Sequence, residues 1–186
     1  LSNKSDFTKL RAEADSNALK NKFSDNEIFN KNSPNNPACK ALYNIAEKIR
    51  YEVLGKKMLK GVGKNLSENY YLKLNSTYKN QLKNKKDVPV TQAFELYMLK
   101  KFFKLELNGV SSKMLSFWEN DFDSSIQKHM DFLNKNLENQ NSYSTKFSEI
   151  FENMGNFNSE TEKNDEKDNQ ENKQDNKPEN NDDGKL

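Results

Sequence analysis

The sequence of 186 residues has little of the side-chain chemistry that most catalytic and metal-binding sites need. Cys39 is its one cysteine and His129 its one histidine. A single cysteine excludes an intrachain disulfide and a cysteine-built metal site, and it fits a reducing compartment. A single histidine excludes a metal site built from several histidines within this chain. We interpret His129 as a surface or partly packed residue and expect no Ser-His-Asp triad around it. We therefore expect no catalytic, cofactor-binding or metal-binding residue.

Long hydrophobic runs and phosphate-binding loops are also missing. No apolar stretch approaches the roughly 18–20 residues that span a bilayer, and residues 1–10 lack the apolar core of a signal peptide, so we expect a cytoplasmic protein without a membrane contact. Residues 61–64 (GVGK) have neither the spacing nor the hydroxyl residue of a phosphate loop. Residues 121–125 (DFDSS) resemble a D-x-S-x-S metal motif, but the third position is Asp and the run lies within a helical pattern. We reject both motifs.

Hydrophobicity and charge divide the chain into two parts. Hydrophobic residues make up 33% and charged residues 31%, and the mean hydropathy of −1.11 is too low for a compact domain throughout. Residues 1–157 carry 25 Lys and Arg against 18 Asp and Glu, whereas residues 158–186 carry 5 against 10. The composition predicts a mildly basic folded domain over 1–157, with net charge +7, and a disordered acidic linker over 158–186, with net charge −5.

The clearest helical pattern lies between residues 36 and 74. Asn36 and Pro37 are typical of an N-cap and a first helical position. Apolar residues then recur every three or four positions: Ala38, Leu42, Ile45, Ala46, Ile49 and Val53. Gly55 suits the position just after the helix, which makes residues 58–63 a connector and predicts a second helix from about Lys64.

Patterns elsewhere are weaker but mostly helical. Residues 15–23 fit a short strand or a helical turn equally well, and Asp25 suits the cap of a short turn. Thr91 suits the N-cap of a third helix. A long helical pattern runs over about 111–137, and a last one over about 142–154. The sequence predicts a mainly α fold, a small helical domain followed by the acidic tail.

Aromatic residues in the long pattern leave two interpretations open. Phe117, Trp118 and Phe122 are either core residues or a platform for nucleic-acid bases, and their helical spacing favours the core. Lysines are spread along the body, so a nucleic-acid interface is only weakly indicated. A helical adaptor or a basic nucleic-acid-binding module is nevertheless an alternative function, because the body carries a net charge of +7.

One block of the sequence resembles a known family. Residues 47–66 are similar to a block of the CobT subunit of aerobic cobaltochelatase, and the similarity is carried by Glu47, Arg50, Glu52, Gly55, Met58, Gly61, Val62, Asn65 and Leu66. Further matching positions upstream and downstream extend the resemblance over roughly residues 9–158, and the acidic tail resembles the charged linker of that family.

The resemblance implies a subunit of a ligase that forms nitrogen–metal bonds, with no catalytic site in this chain. Members of the family join an AAA+ ATPase subunit, CobS, in an oligomeric ring. This motor acts with the large corrin-binding subunit, CobN, to insert cobalt during cobalamin biosynthesis. The resemblance places ATP and magnesium in the ATPase subunit and makes cobalt the substrate of the complex. It also implies a von Willebrand A domain after the linker, which this sequence does not contain.

Within this frame, the candidate motif and subunit-interface residues are Arg50, Glu52, Gly55, Met58, Gly61 and Asn65. Arg50 and Glu52 lie two residues apart on a helix, so we expect them to face different sides and not to pair. One can then make an internal contact while the other faces a subunit; the alternative is that both are solvated. We expect Gly55 and Gly61 to serve the backbone conformation, and Met58 to lie in the core.

Overall fold

The computed structural model describes residues 4–76 and 82–154, and these residues form helices and turns without a strand, which confirms the mainly α prediction. The predicted disordered linker lies outside the described residues. The α-helices are α1 (Lys4–Phe23), α2 (Asn26–Asn32), α3 (Pro37–Met58), α4 (Lys60–Ser76), α5 (Val90–Met98), α6 (Gly109–Ser116), α7 (Glu119–Ile126), α8 (Met130–Lys135) and α9 (Gln140–Asn153). Short 3₁₀ turns occupy Lys85–Asp87 and Gln127–His129, and a π-helical turn occupies Leu99–Phe103.

Helix α3 is the centre of the fold, since α1, α4, α5 and α9 all pack against it. Its predicted start is confirmed: the side-chain oxygen of Asn36 accepts from the backbone N–H groups of Ala38 and Cys39 at 2.9 and 3.2 Å, and Pro37 is the first helical residue. These contacts satisfy N–H groups that have no partner within the helix.

The predicted end of α3 is wrong. The helix continues through Gly55 to Met58, and α4 begins at Lys60, so the connector is Leu59 alone and Gly61 lies inside α4. Gly55 is a glycine for a different reason: a Cβ there would lie 2.3 Å from Cδ1 of Leu19 on α1. The missing side chain lets α1 approach α3 closely.

Residues 15–23, whose pattern fitted a strand or a helical turn, form the second part of α1. The strand alternative is therefore wrong. Ala12 and Leu19 are the buried residues of α1, while Phe7 and Leu10 are 61% and 65% exposed. Because its apolar residues do not share one face, the helix carries almost no periodic signal. Asp25 does cap the next helix, since its side chain accepts from the backbone N–H groups of Glu27 and Ile28.

The second half of the fold departs from the predicted boundaries. Helix α5 begins at Val90, so Thr91 lies within the helix and is not its cap. The single long helix predicted over 111–137 is wrong, because that region is divided into α6, α7, a 3₁₀ turn and α8. Because these helices are short, the chain changes direction between them, and apolar residues from each helix pack into one aromatic core. The last helix, α9, begins at Gln140, close to its predicted start.

The aromatic core confirms the core interpretation of the second half. Phe94, Phe122, Phe147 and Phe151 are almost fully buried, and the ring centroids of Phe94 lie 5.4 Å from those of both Phe122 and Phe151. Trp118 is 4% exposed, and its indole N–H donates to the carbonyl of Val88 at 3.0 Å. Rings in this arrangement are not accessible to nucleic-acid bases. Among the described residues, no helix has both the length and the apolar character to cross a membrane.

Candidate functional site

Arg50 lies at the centre of a buried polar network, and its side chain is 1% exposed. Its Nε donates to Oε2 of Glu47 at 2.9 Å, and its Nη2 donates to Oε1 of the same carboxylate at 2.8 Å. Glu47 lies one helical turn earlier on α3 and is itself 4% exposed. This two-point geometry is the strongest form of arginine–carboxylate pairing.

The same guanidinium also joins the ends of two distant segments. Nη1 donates to the carbonyl of Leu137, just after α8, at 2.8 Å, and Nη2 donates to the carbonyl of Phe23, the last residue of α1. The Phe23 carbonyl lies at the C-terminal end of α1, where carbonyls have no partner within the helix and carry partial negative charge. Arg50 supplies both the hydrogen bonds and the complementary charge.

Glu47 extends the network to α2 and α9. Its Oε1 accepts from Oγ of Ser24 at 2.6 Å and from Nε2 of Gln140 at 3.0 Å. The Gln140 amide also accepts from the backbone N–H of Asp25 at 2.7 Å and donates to the Asp25 carbonyl at 3.1 Å. A buried charge pair is tolerated only when its remaining polar atoms are satisfied, and here they are.

Glu52 forms a second buried cluster on another side of α3. It is 1% exposed, and its carboxylate accepts from Oγ of Ser16 on α1 at 2.6 Å and from the hydroxyl of Tyr70 on α4. Burial raises the pKa of Glu52 above its ordinary value of 4.5, against the opposing influence of Lys48 and the two hydrogen bonds. Burial likewise raises the pKa of the neighbouring Tyr51 to about 12.

A cleft of about 270 Å³ opens beside this second cluster. Its walls come from α1, α3 and α4 and include Ala12, Ser16, Lys48, Tyr51, Glu52 and Tyr70. Within residues 4–76 and 82–154, no three His, Cys, Asp or Glu side chains come together in a way that could hold a metal ion. The arrangement is suited to holding helices in register.

The structure places Arg50 and Glu52 inside the fold, so the interpretation as solvated residues is wrong. They do face different sides of α3, since Arg50 pairs with Glu47 whereas Glu52 bonds to Ser16 and Tyr70. Neither side chain is presented to a partner surface in this conformation. Their importance for subunit assembly stays a prediction, and any such effect would act through the fold.

The other four candidates are split between interior and surface. Gly55 is buried against α1. Asn65 is partly buried, and its side-chain N–H donates to Oδ2 of Asp15 at 2.7 Å. Met58 is 48% exposed, so its assignment to the core is wrong, and Gly61 is exposed with no atom within 4 Å of where a Cβ would lie. Met58 and Gly61 are therefore the candidates that a partner can touch directly.

Four partners in these clusters were not recognised in the sequence: Ser16, Ser24, Tyr70 and Gln140. Their separations from Glu47 and Glu52 range from 18 to 93 residues. A single sequence carries no signal for such pairing. Asp25 was predicted as a cap from the sequence, but nothing there connected it with α9.

The fold and its two polar clusters define a small all-helical scaffold. Motif residues within it form buried hydrogen bonds and an ion pair that hold the helices together. The chain matches the family described as cobalamin biosynthesis protein CobT over residues 2–185. It therefore belongs to the CobT family, which confirms the resemblance carried by residues 47–66, and its role lies in cobalamin biosynthesis. No curated protein and no solved structure matches the chain.

Proposed function

We propose that the chain is a non-catalytic subunit of an ATP-dependent cobaltochelatase. The observation that carries the proposal is the CobT family match over residues 2–185. In this role the protein joins an AAA+ ATPase subunit and a large corrin-binding subunit in a cytoplasmic assembly built around an oligomeric ring. ATP and magnesium belong to the ATPase subunit, and cobalt is the substrate inserted into the corrin ring.

The structure supports a mechanical contribution. Arg50, Glu47 and Gln140 tie α1, α2, α3 and α9 together, and Glu52 ties α3 to α1 and α4. A body held by satisfied buried polar groups resists internal deformation. Such a body can pass movement from an ATPase partner to a substrate-binding partner without being deformed by it.

The decisive experiment reconstitutes cobalt insertion from the full-length protein, an AAA+ ATPase subunit and a large corrin-binding subunit. We expect insertion of cobalt into the corrin, followed by absorbance, to require all three proteins and ATP. We also expect this protein to co-purify with the ATPase subunit. Insertion at an unchanged rate without this protein would contradict the proposal, as would the absence of any association with or without ATP.

A matched pair of surface variants tests where the partner binds. Met58 is 48% exposed at the end of α3, and Phe132 is 42% exposed on α8. We expect Met58→Asp to weaken association with the ATPase subunit about tenfold or more, since a buried interfacial apolar anchor contributes about 2 kcal/mol or more. Phe132→Asp should leave the association unchanged. Equal effects of the two variants would remove Met58 from the interface.

A further inference from the structure

The junction of α3 and α4 presents a concentrated positive surface, which we call the basic corner: Lys57, Met58, Leu59, Lys60 and Lys64. All five residues are exposed, and Met58 and Leu59 are 48% and 49% exposed. The tight connection through Leu59 places the end of one helix directly beside the start of the next. Three lysines therefore lie within two helical turns of the same point.

The lysines of the basic corner are poorly neutralised by the folded body. In the part of the chain that the structure describes, no carboxylate forms an ion pair with Lys57 or Lys60. Lys64 lies 3.8 Å from Glu68, but the two side chains are 75% and 51% exposed, and such surface pairs contribute little. With three lysines against the one paired carboxylate of Glu68, the corner keeps a net positive charge.

The sequence itself contains a complementary anionic segment. Residues 158–186 lie outside the described residues and carry 10 Asp and Glu against 5 Lys. The acidic residues begin at Glu160 and extend to Asp183. No aliphatic or aromatic residue lies between positions 160 and 183, so the attraction of this segment to the body must be electrostatic.

The folded body places the start of this segment within reach of the corner. Sγ of Cys39 donates to the carbonyl of Phe151 at 3.4 Å, which sets the end of α9 against the start of α3. Met58 lies 19 residues further along α3, about 28 Å away at 1.5 Å per residue. A chain leaving Met154 can extend by up to about 3.3 Å per residue. Acidic residues from about ten positions onward can therefore reach the corner.

We propose that residues 160–183 dock electrostatically on the basic corner of the same chain, through the acidic residues from Asp165 onward. The contact uses Lys57, Lys60 and Lys64 and leaves the neighbouring apolar pair, Met58 and Leu59, beside the docked segment. A partner that binds this corner must then displace an anionic competitor. The proposal does not depend on cobaltochelatase activity, because it concerns two segments of one chain.

Nuclear magnetic resonance on the isotope-labelled full-length chain tests this contact. Raising the salt from about 0.1 M to about 1 M shortens the screening length from about 10 Å to about 3 Å. We expect the backbone amide signals of residues 160–183 to move with salt, together with those of Met58, Leu59 and Gly61. The shifts should not change with protein concentration, since the contact is within one molecule.

Two triple variants separate this docking from a general attraction to the basic body. Lys57→Gln/Lys60→Gln/Lys64→Gln should make the salt-dependent shift of residues 160–183 about fivefold smaller. The control Lys86→Gln/Lys113→Gln/Lys135→Gln removes the same charge from exposed lysines elsewhere and should leave the shift unchanged. Equal effects of the two variants would overturn the proposal. Shifts that grow with protein concentration would also overturn it, because they would indicate contact with a second copy. So would signals of residues 160–183 that do not move with salt.

Discussion

Arg50 carries a full positive charge at a position with 1% exposure. The folded protein can hold this buried charge only because the surrounding groups interact with it. Transfer of an ion out of water costs several kcal/mol, and the surroundings must return that energy. Glu47 offsets part of this cost through a two-point ion pair, and the carbonyls of Phe23 and Leu137 accept further hydrogen bonds from the guanidinium. The same bonds make Glu47 equally dependent on Arg50.

Replacement of Arg50 should therefore cost more than the loss of one ion pair. Arg50→Met leaves the Glu47 carboxylate buried without its counter-charge, and we expect the free energy of unfolding to fall by about 3–5 kcal/mol. Chemical denaturation followed by circular dichroism measures the loss. The control, Arg11→Met on the exposed side of α1, should stay within about 0.5 kcal/mol. Adding Glu47→Gln to Arg50→Met should recover part of the loss, and a simple sum of the two single effects would contradict this explanation.

Glu52 gives a prediction about pH. Its pKa in the folded protein is raised by burial above the ordinary value of 4.5, so the folded state holds the proton to higher pH than the unfolded state does. Between the two pKa values the native state binds more protons, and stability therefore falls as pH rises through that window. The contribution of one such group changes by at most about 1.4 kcal/mol per pH unit.

Glu52→Gln removes this titration while keeping a group that can bond to Ser16 and Tyr70. We expect the stability of the variant, relative to the wild type, to increase as pH rises above about 4.5 and then to level off. Denaturation midpoints measured across the acidic to neutral range provide the test. Glu68→Gln on the exposed face of α4 is the control and should run parallel to the wild type. Parallel curves for Glu52→Gln as well would show that its pKa is not raised in the folded state.

Two glycines of neighbouring helices have opposite roles. A Cβ at Gly55 would lie 2.3 Å from Leu19, whereas a Cβ at Gly61 would meet nothing within 4 Å. Alanine favours a helix over glycine by about 1 kcal/mol, but overpacking costs about 1–3 kcal/mol. We expect Gly55→Ala to destabilise the protein and Gly61→Ala to stabilise it by up to about 1 kcal/mol. Thermal unfolding of both variants measures the signs, and two shifts in the same direction would contradict the assigned roles.

Helix boundaries were predictable from sequence where their causes are local. Asn36 caps α3 and Asp25 caps α2 through backbone groups two and three residues away. The end of α3 was not predictable, because Gly55 is needed for contact with Leu19, which is 36 residues distant and follows from the tertiary arrangement. Helix α1 gave no periodic signal, because its apolar residues do not share one face. Hydrogen bonds of Asp15 and Ser16, which join it to α4 and α3, add no such signal to the sequence.

The position of the candidate site was predictable from the sequence, but the burial of its charged residues was not. The block from Glu47 to Leu66 identified the family, and its spacing correctly indicated that Arg50 and Glu52 face different sides of one helix. Charged residues on an amphipathic helix are ordinarily solvated. Their burial depends on Ser24, Tyr70 and Gln140, which only the folded chain brings to them.

At the scale of the whole molecule, the first and last described helices are parts of one network. Gln140 at the start of α9 bonds to Asp25 before α2. Arg50 donates to carbonyls in the N-terminal and the C-terminal part of the chain. Helix α3 also packs against α5, which belongs to the aromatic core. A disturbance of the α1–α3 contact should therefore be felt at the opposite half of the body.

The single tryptophan makes this coupling measurable. Trp118 lies in the second half, so its fluorescence reports the aromatic core, whereas far-ultraviolet circular dichroism reports the helices of both halves. We expect the two signals to give coincident unfolding transitions in urea, as for one cooperative unit. Gly55→Ala, which disturbs only the contact of α1 with α3, should move both midpoints to lower urea by the same amount. A Trp118 midpoint that stays in place while the dichroism midpoint falls would show instead that the α1–α4 half unfolds on its own.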